Sequence, residues 1–195
     1  MKHQAFLFCF SINFFKTSYA NLSDIQLMKT LIAIRHAKSS WDVVGQKDFD
    51  RTLTDRGKKD APEMAQRLKE TGLKIDLFVS SPAKRAYKTA RYFADVFKKE
   101  KEEIVLVDQL YEAPLETFYN VVSSLNNKHD VVALFSHNPG ITTFVNTLTE
   151  VRTDNMPTCS LFAVQAETKD WRTFKESSKK FLFYDYPKNP LGYLD

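Results

Sequence analysis

Two histidines in this sequence directly follow apolar runs of the kind that form buried β-strands. His36 follows residues 30–34 and Arg35, and His137 follows residues 131–136. In open α/β sheets ligands bind just beyond the carboxyl ends of the strands, so two strands can deliver both imidazoles to one crevice. A nitrogen nucleophile beside fixed cations is the set of groups that phosphoryl transfer needs. The sequence therefore predicts a phosphoryl-transfer site that contains Arg35, His36 and His137.

Arg85 is a second arginine expected at this site. It lies in the first turn of a helix that Ser81 is predicted to cap, with Pro82 at the first helical position. A cation is disfavoured at a helix N-terminus by about 0.3–1 kcal/mol, whereas a bound phosphate would use the free N–H groups there and pair with the arginine. Lys84 weakens the argument, because one of two neighbouring cations can simply be solvated. We predict that Arg85 binds the phosphoryl group.

Two loops contribute the remaining candidates. Asn138 follows His137 and is predicted to cap a helix and to contact the substrate, with Gly140 allowing the backbone to approach a ligand closely. Glu112 follows the predicted strand 104–107 and is the candidate general acid, since a carboxyl group in a partly dry cleft can protonate a leaving group. An ordinary loop glutamate is the alternative. The weaker candidates for the acid are Asp42, Asp48 and Asp50.

The elements that must position these residues alternate between strands and helices. Such alternation predicts an α/β fold with a mostly parallel central sheet that is covered by helices on both faces. Thr54 or Asp60 is predicted to cap the first helix, and Gly72 to end it. The other predicted strands are 77–79, 104–107, 161–164 and 181–184, and the other helices begin near 81, 115 and 138, the last of them ending near 149.

The composition is that of one globular domain with a sizeable core. The chain has 195 residues, of which 43% are hydrophobic, and its net charge is +4. The lysines are scattered rather than gathered in a basic stripe, which argues against nucleic acid as a partner. Cys9 and Cys159 have no histidine or cysteine neighbours at metal-ligand spacing. We therefore expect neither a metal site nor a cofactor.

Residues 1–27 differ in character from the rest of the chain. An aromatic and apolar run over residues 6–15 has the outline of a signal peptide, and it is too short for a membrane-spanning helix. The alternative is a true start at Met28, which the polar residues inside the apolar run favour. We expect a domain over residues 28–195 in a cytoplasmic protein without a membrane partner, and an exported protein if the leader is genuine.

Three motifs occur in order along the chain. They are 35–37 (RHA), 80–90 (SSPAKRAYKTA) and 136–140 (SHNPG). Together they resemble the histidine phosphatase superfamily and, within it, the small SixA-type phosphohistidine phosphatases, over residues 29–186. The resemblance implies a phosphoglycerate-mutase-like fold, which is a three-layer sandwich with the sheet in the middle.

The same resemblance implies roles for individual residues. His36 would become transiently phosphorylated, while Arg35, Arg85 and His137 would hold the phosphoryl oxygens. Mutase-like members carry an asparagine six residues after the nucleophile as a phosphate ligand. Asp42 stands there in this chain, and a carboxylate would repel phosphate, which argues against mutase activity.

The sequence thus predicts a metal-independent phosphatase with a phosphohistidine intermediate. The short spacing between the motifs leaves no room for a large lid domain. An open crevice suits a phosphohistidine on a signalling protein, such as a histidine phosphotransfer domain. The alternatives are a general small-molecule phosphomonoesterase and, less favoured, a non-catalytic phosphate-binding module.

Overall fold

The computed structural model describes residues 28–41 and 45–189, which build a six-stranded sheet. The strands are β1 (Lys29–Arg35), β2 (Leu77–Ser80), β3 (Ile104–Leu106), β4 (Val131–Ser136), β5 (Leu161–Ala166) and β6 (Lys179–Asp185). Their order across the sheet is β3-β2-β4-β1-β5-β6. β1 to β4 are mutually parallel, while β5 pairs antiparallel with β1 and with β6. The predicted, mostly parallel sheet is confirmed.

Four α-helices connect the strands within the described residues. They are α1 (Asp55–Glu70), α2 (Lys84–Val96), α3 (Leu115–Ser123) and α4 (Gly140–Val145). α1 starts where the sequence predicts, because the Thr54 hydroxyl accepts a hydrogen bond from the Gly57 N–H at 3.1 Å, whereas Asp60 lies inside the helix. Gly72 follows the helix end with a φ of 81°, a conformation that costs glycine little.

The start of α2 differs from the prediction. The helix begins at Lys84, and Ala83 rather than Ser81 takes the N-cap position without a side-chain hydrogen bond. The backbone of Ser81 still follows the sheet, because its N–H donates to the Phe135 carbonyl at 3.0 Å. Helical geometry therefore starts later than the Ser-Pro pattern suggests, although Arg85 still lies in the first turn.

α4 is shorter than predicted and starts later. Pro139, not Asn138, takes the N-cap position, and the helix ends at Val145 rather than near 149. Beyond that point the backbone continues in tighter turns, since the N–H of Thr147 donates to the Phe144 carbonyl three residues earlier, at 2.9 Å.

Helices cover both faces of the sheet. Alternate side chains of a strand point to opposite faces, and the four central residues of β1 are fully buried. Ile32 and Ile34 pack with α1 and α2 on one face, while Leu31 and Ala33 pack with α3 and α4 on the other. The three-layer sandwich is confirmed.

Parallel strands β1, β2 and β4 end at the same edge of the sheet. The His36 N–H donates to the Ser136 carbonyl at 3.1 Å, and the Ser81 N–H donates to the Phe135 carbonyl at 3.0 Å. The hydrogen-bonded ladder therefore extends one residue past β1 and β2. His36 and Ser81 therefore leave this edge from backbone that the sheet holds in place, and His137 directly follows β4.

Two glycines allow backbone segments around this edge to touch. A methyl group added at Gly57 would lie 2.1 Å from the Lys38 carbonyl oxygen, and one at Gly140 would lie 2.0 Å from the Ala113 carbonyl oxygen. Both distances are too short for any side chain. The close approach expected at Gly140 is therefore to the loop that carries Glu112, and not to a ligand.

Other sequence-based expectations concern membrane-spanning helices, the cysteines and the N-terminal segment. No helix within residues 28–41 and 45–189 is long and apolar enough to cross a membrane. Cys159 is a buried free thiol. Residues 1–27, which include Cys9 and the predicted leader or mis-assigned extension, lie outside the described residues.

Candidate active site

A cavity of about 310 Å³ opens at the sheet edge where β1 and β4 end. All six residues nominated from the sequence line it: Arg35, His36, Arg85, Glu112, His137 and Asn138. The rest of the wall consists of Lys38, Ser39, Trp41, Asp48, Arg51 and Thr158. Arginine and lysine side chains outnumber carboxylates in this wall, so the cavity favours an anionic ligand.

His36 is held as a neutral ring with one defined free nitrogen. Its Nδ1 lies 2.8 Å from the Ala37 carbonyl oxygen, which can only accept, so Nδ1 carries the proton. Its Nε2 lies 3.1 Å from Nε of Arg85, which donates to it. Burial, the neighbouring His137, and the charges of Arg85 and Arg35 hold the pKa of His36 well below its usual range. Nε2 is thus unprotonated at neutral pH, and its lone pair accepts from Arg85.

His137 faces His36 across the site. The two ring centroids are 5.0 Å apart, and His137 is only 4% exposed. Burial first, and then the charge of Arg85, lowers the pKa of His137 to about 3, so this ring is also neutral near pH 7. Its Nε2 lies 2.8 Å from the Ser81 hydroxyl, whereas its Nδ1 is buried without a hydrogen-bond partner among the described residues.

Arg35 presents a second polar atom without a partner. Its Nη1 donates to the Met156 carbonyl at 2.5 Å, while its Nε is buried and has no partner in the described part of the chain. Buried polar atoms are nearly always hydrogen-bonded, so an unpaired one needs an explanation. Arg35 Nε and His137 Nδ1 belong to residues of one cationic cavity. An anion in this cavity is the candidate partner for both atoms.

Arg85 is fixed by the nucleophile candidate on one side and by Asp48 on the other. Besides the bond from its Nε to His36, its Nη1 donates to the Asp48 backbone carbonyl at 2.6 Å and its Nη2 to the Asp48 carboxylate at 2.7 Å. The guanidinium is 4% exposed. Its planar fork therefore has little rotational freedom, and its Nε–H is aimed at Nε2 of His36.

Asp48 collects several donors at the cavity wall. Arg51 donates to its Oδ1 at 2.8 Å, and the Tyr111 hydroxyl donates to its Oδ2 at 2.9 Å. Partial burial raises the pKa of Asp48, but the hydrogen bonds from Tyr111 and Arg85 outweigh that effect and leave it below its usual range. Asp48 is therefore a carboxylate that anchors arginines, and it is poorly suited to the role of general acid.

Glu112 and Asn138, the other two candidate site residues, differ in their exposure and in their hydrogen bonds. Glu112 lies on the cavity wall, exposed, in a backbone conformation with a φ of 50° that non-glycine residues rarely adopt. The Asn138 amide donates to Met156 and Asn155, and its oxygen accepts from Thr142 at 2.7 Å. Its donors already have protein partners, so contact with a substrate stays a prediction.

Asp50, one of the weaker acid candidates, is not among the residues of the cavity wall. Asp50 forms an ion pair with Lys84 at 3.0 Å, which also explains the second cation at the start of α2. Asp42 lies outside the described residues. Within the described residues, no group of three or more histidine, cysteine, aspartate or glutamate side chains could hold a metal ion.

Comparison with known proteins finds a family match over part of the chain. The profile of the histidine phosphatase superfamily (branch 1) matches residues 31–123, which include His36, Arg85 and Glu112. By this match, residues 31–123 of the chain belong to the histidine phosphatase superfamily. Its fold agrees with that assignment: it superposes on a SixA protein of Agrobacterium tumefaciens with a TM-score of 0.68 at 23% identity, covering 82% of this chain and 98% of that one.

A second solved structure superposes equally well. The protein histidine phosphatase SixA in complex with tungstate superposes with a TM-score of 0.67 at 22% identity, over 81% of this chain and 97% of that one. At these identities the likeness concerns the fold.

The curated relatives found by sequence align with a smaller part of the chain than the solved structures do. A 2,3-bisphosphoglycerate-dependent phosphoglycerate mutase of Bartonella henselae is 34% identical over 102 residues, which are 50% of this chain and 47% of the mutase. Phosphoserine phosphatase 1 of Hydrogenobacter thermophilus is 39% identical over 87 residues, 44% of this chain and 39% of that enzyme. The chain therefore spans about half the length, or less, of the curated relatives it matches.

Sequence reasoning missed two residues that contact the candidate site residues. Ser81 was expected to cap a helix, yet its hydroxyl contacts His137. Asp48 was considered only as a weak acid candidate, yet it holds Arg85 and Arg51. One signal was available for each: Ser81 directly follows a strand at the functional edge of the sheet, and Asp48 precedes Arg51 by three residues.

The Asp48 contacts predict a difference between two aspartates of the same short turn. Asp48→Asn removes the charge that neutralises two nearly buried arginines, and we expect the free energy of unfolding to fall by about 1–3 kcal/mol. Asp50→Asn breaks only an exposed ion pair and should cost less than about 1 kcal/mol. Urea denaturation of both variants measures this. Equal small losses would mean that Asp48 does not anchor the arginines.

Proposed function

We propose that this protein is a phosphatase that works through a phosphoryl group carried transiently on Nε2 of His36. The observation that carries the proposal is the hydrogen bond from Nδ1–H of His36 to the Ala37 carbonyl, which leaves Nε2 unprotonated inside a cationic cavity. In the first step the Nε2 lone pair forms a bond to phosphorus while the bond to the leaving group breaks. The leaving group departs with that electron pair and takes up a proton.

The second step returns the enzyme to its starting state. A water molecule attacks phosphorus, the bond from phosphorus to Nε2 breaks, and its electron pair returns to the ring as inorganic phosphate leaves. The ring gains positive charge while Nε2 is bonded to phosphorus. The Ala37 carbonyl, which accepts the Nδ1–H at 2.8 Å, would stabilise that charge throughout.

We assign the phosphoryl oxygens to Arg35, Arg85 and His137. Nε of Arg35 and Nδ1 of His137 lack protein partners among the described residues, and the Arg85 Nε–H lies 3.1 Å from the atom that would carry phosphorus. Fixed donors of this kind stabilise the charge that spreads over the oxygens in a loose transition state. Asn138 would contribute at the cavity wall.

We propose a phosphohistidine on a protein as the substrate, such as that of a histidine phosphotransfer domain. Two observations support this choice. The fold superposes on the two SixA structures with TM-scores of 0.68 and 0.67. The cavity also adjoins an apolar hollow lined by Pro114, Leu115 and Pro139, which suits the surface of a protein better than a small, fully anionic substrate.

A small-molecule phosphomonoesterase is the second candidate. Glu112 on the cavity wall favours it, because an alkoxide leaving group needs a proton, and so does the similarity to a phosphoserine phosphatase over 87 residues. A non-catalytic phosphate-binding module would need no nucleophile and no acid. We further propose residues 28–195 as the catalytic domain and the cytoplasm as its compartment, with residues 1–27 a leader or a mis-assigned extension.

The nucleophile can be tested directly. His36→Ala should abolish turnover and the trapping of a phosphoenzyme, while His129→Ala, a change outside the cavity wall, should leave both intact. The wild-type intermediate should be labile in acid and stable in base, as expected for a phosphoramidate. A phosphoenzyme on serine or cysteine would contradict the mechanism, and binding of phosphate without any phosphoenzyme would indicate a binding module.

Glu112 separates the two candidate substrates. If it is the general acid, Glu112→Gln should slow hydrolysis of an alkyl phosphomonoester such as phosphoserine by roughly 10²–10⁴-fold and should barely affect phosphohistidine, whose imidazole leaves without such help. Glu116→Gln is the matched control, because Glu116 pairs with Lys175 outside the cavity wall. Equal small effects would make Glu112 an ordinary loop residue, and equal large effects would mean that it positions the nucleophile or the water.

A further inference from the structure

Ser81 and His137 form a buried pair behind the proposed phosphoryl site. Ser81 is fully buried, and its Oγ lies 2.8 Å from Nε2 of His137. The sheet holds Ser81 in place through its N–H, which donates to the Phe135 carbonyl at 3.0 Å. The contact therefore joins two rigid points, the residue after β2 and the residue after β4.

The direction of this hydrogen bond follows from the other partner of the hydroxyl. The Ala83 N–H donates to Ser81 Oγ at 3.3 Å, so the hydroxyl already acts as an acceptor there. Its own hydrogen needs an acceptor, and Nε2 of His137 is the one within reach among the described residues. If the ring donated to the hydroxyl instead, the Ser81 hydrogen would be buried without an acceptor.

We propose that Ser81 is a positioning residue that fixes the tautomer of His137, with the proton on Nδ1, so that Nδ1–H can donate to a phosphoryl oxygen. This inference rests on the proposed function of the cavity. His137 is the residue that would touch the phosphoryl group, and Ser81 acts on it from behind.

The position of one proton matters because the ring is neutral. Burial and Arg85, together with the charges of Arg51 and Arg35, outweigh Asp48 and hold the pKa of His137 at about 3. A neutral imidazole has a single N–H. With the proton on Nε2, His137 would turn a lone pair toward an anionic oxygen and repel it. With the proton on Nδ1, the same ring donates to it.

The tautomer can be read in the full-length, ligand-free protein without any turnover. Nitrogen-15 NMR of histidine-labelled protein near pH 7 distinguishes protonated from unprotonated ring nitrogens, and the spectrum of His137→Gln identifies the signals that belong to His137. We expect a protonated Nδ1 and an unprotonated Nε2. A proton on Nε2, or a doubly protonated ring, would overturn the proposal.

Substitutions of the two serines test whether the Ser81 hydroxyl fixes the tautomer of His137. Ser81→Ala should shift His137 toward a mixture of tautomers and weaken binding of orthovanadate about 10- to 100-fold, the effect of losing a hydrogen bond to a charged group. Ser81→Thr, which retains the hydroxyl, should restore the wild-type tautomer. Ser80→Ala is the matched control, because the equally buried Ser80 donates to the Ser81 carbonyl and not to His137.

The outcomes separate this inference from the proposed function. An unchanged His137 spectrum and unchanged vanadate binding in Ser81→Ala would overturn the role of Ser81 even if His36 forms a phosphoenzyme. If Ser80→Ala shifts the tautomer of His137 as much as Ser81→Ala does, the effect comes from a general disturbance of the packing. That result would also overturn the role of Ser81. If Ser81→Ala fails to fold, the wild-type spectrum still decides. Absence of a phosphoenzyme would instead count against the proposed function.

Discussion

The hydrogen bond from Nδ1–H of His36 to the carbonyl of Ala37 determines which nitrogen of the ring has a free lone pair. Both atoms lie at the end of β1, where the His36 N–H is still paired with Ser136 of the neighbouring strand. The sheet therefore fixes the backbone that orients the His36 ring. The Nε–H of Arg85 donates to the nitrogen that this bond leaves unprotonated.

The electrostatic balance of the cavity follows from the same constraint. Cations near a histidine disfavour its protonated form, so Arg35 and Arg85 help to keep His36 neutral and nucleophilic while remaining available to an anion. Buried arginines need counter-charge in the absence of an anion. Asp48 supplies part of it by accepting from Arg51 and Arg85 at the rim of the site. Asp48 thus balances part of the charge of both arginines from the cavity wall.

Much of the fold and the position of the site could be predicted from the sequence for physical reasons. Buried parallel strands are apolar throughout, and side chains just past their carboxyl ends meet at one edge. That is why His36 and His137 could be placed together, and why the position of Arg85 on the first turn of a helix was informative. The three-layer arrangement followed from the alternation of strands and helices.

Other features depend on tertiary contacts that local patterns do not encode. Ser81 resembles a helix cap, but its decisive partner, His137, is 56 residues away. Asp48 lies in a polar loop without periodicity, and its role appears only once Arg85 is placed 37 residues further on. Gly140 could be recognised as a position of close approach, but not that the approaching group is the Ala113 carbonyl.

The most direct test of the account is to find the nitrogen of His36 that carries phosphorus. Phosphoenzyme prepared from nitrogen-15 histidine-labelled protein can be unfolded in base, where a phosphoramidate survives, and the phosphorus–nitrogen coupling then identifies the bonded atom by NMR. The structure predicts phosphorus on Nε2 of His36, because the Ala37 carbonyl occupies the Nδ1 side. Phosphorus on Nδ1, or on any other residue, would contradict it.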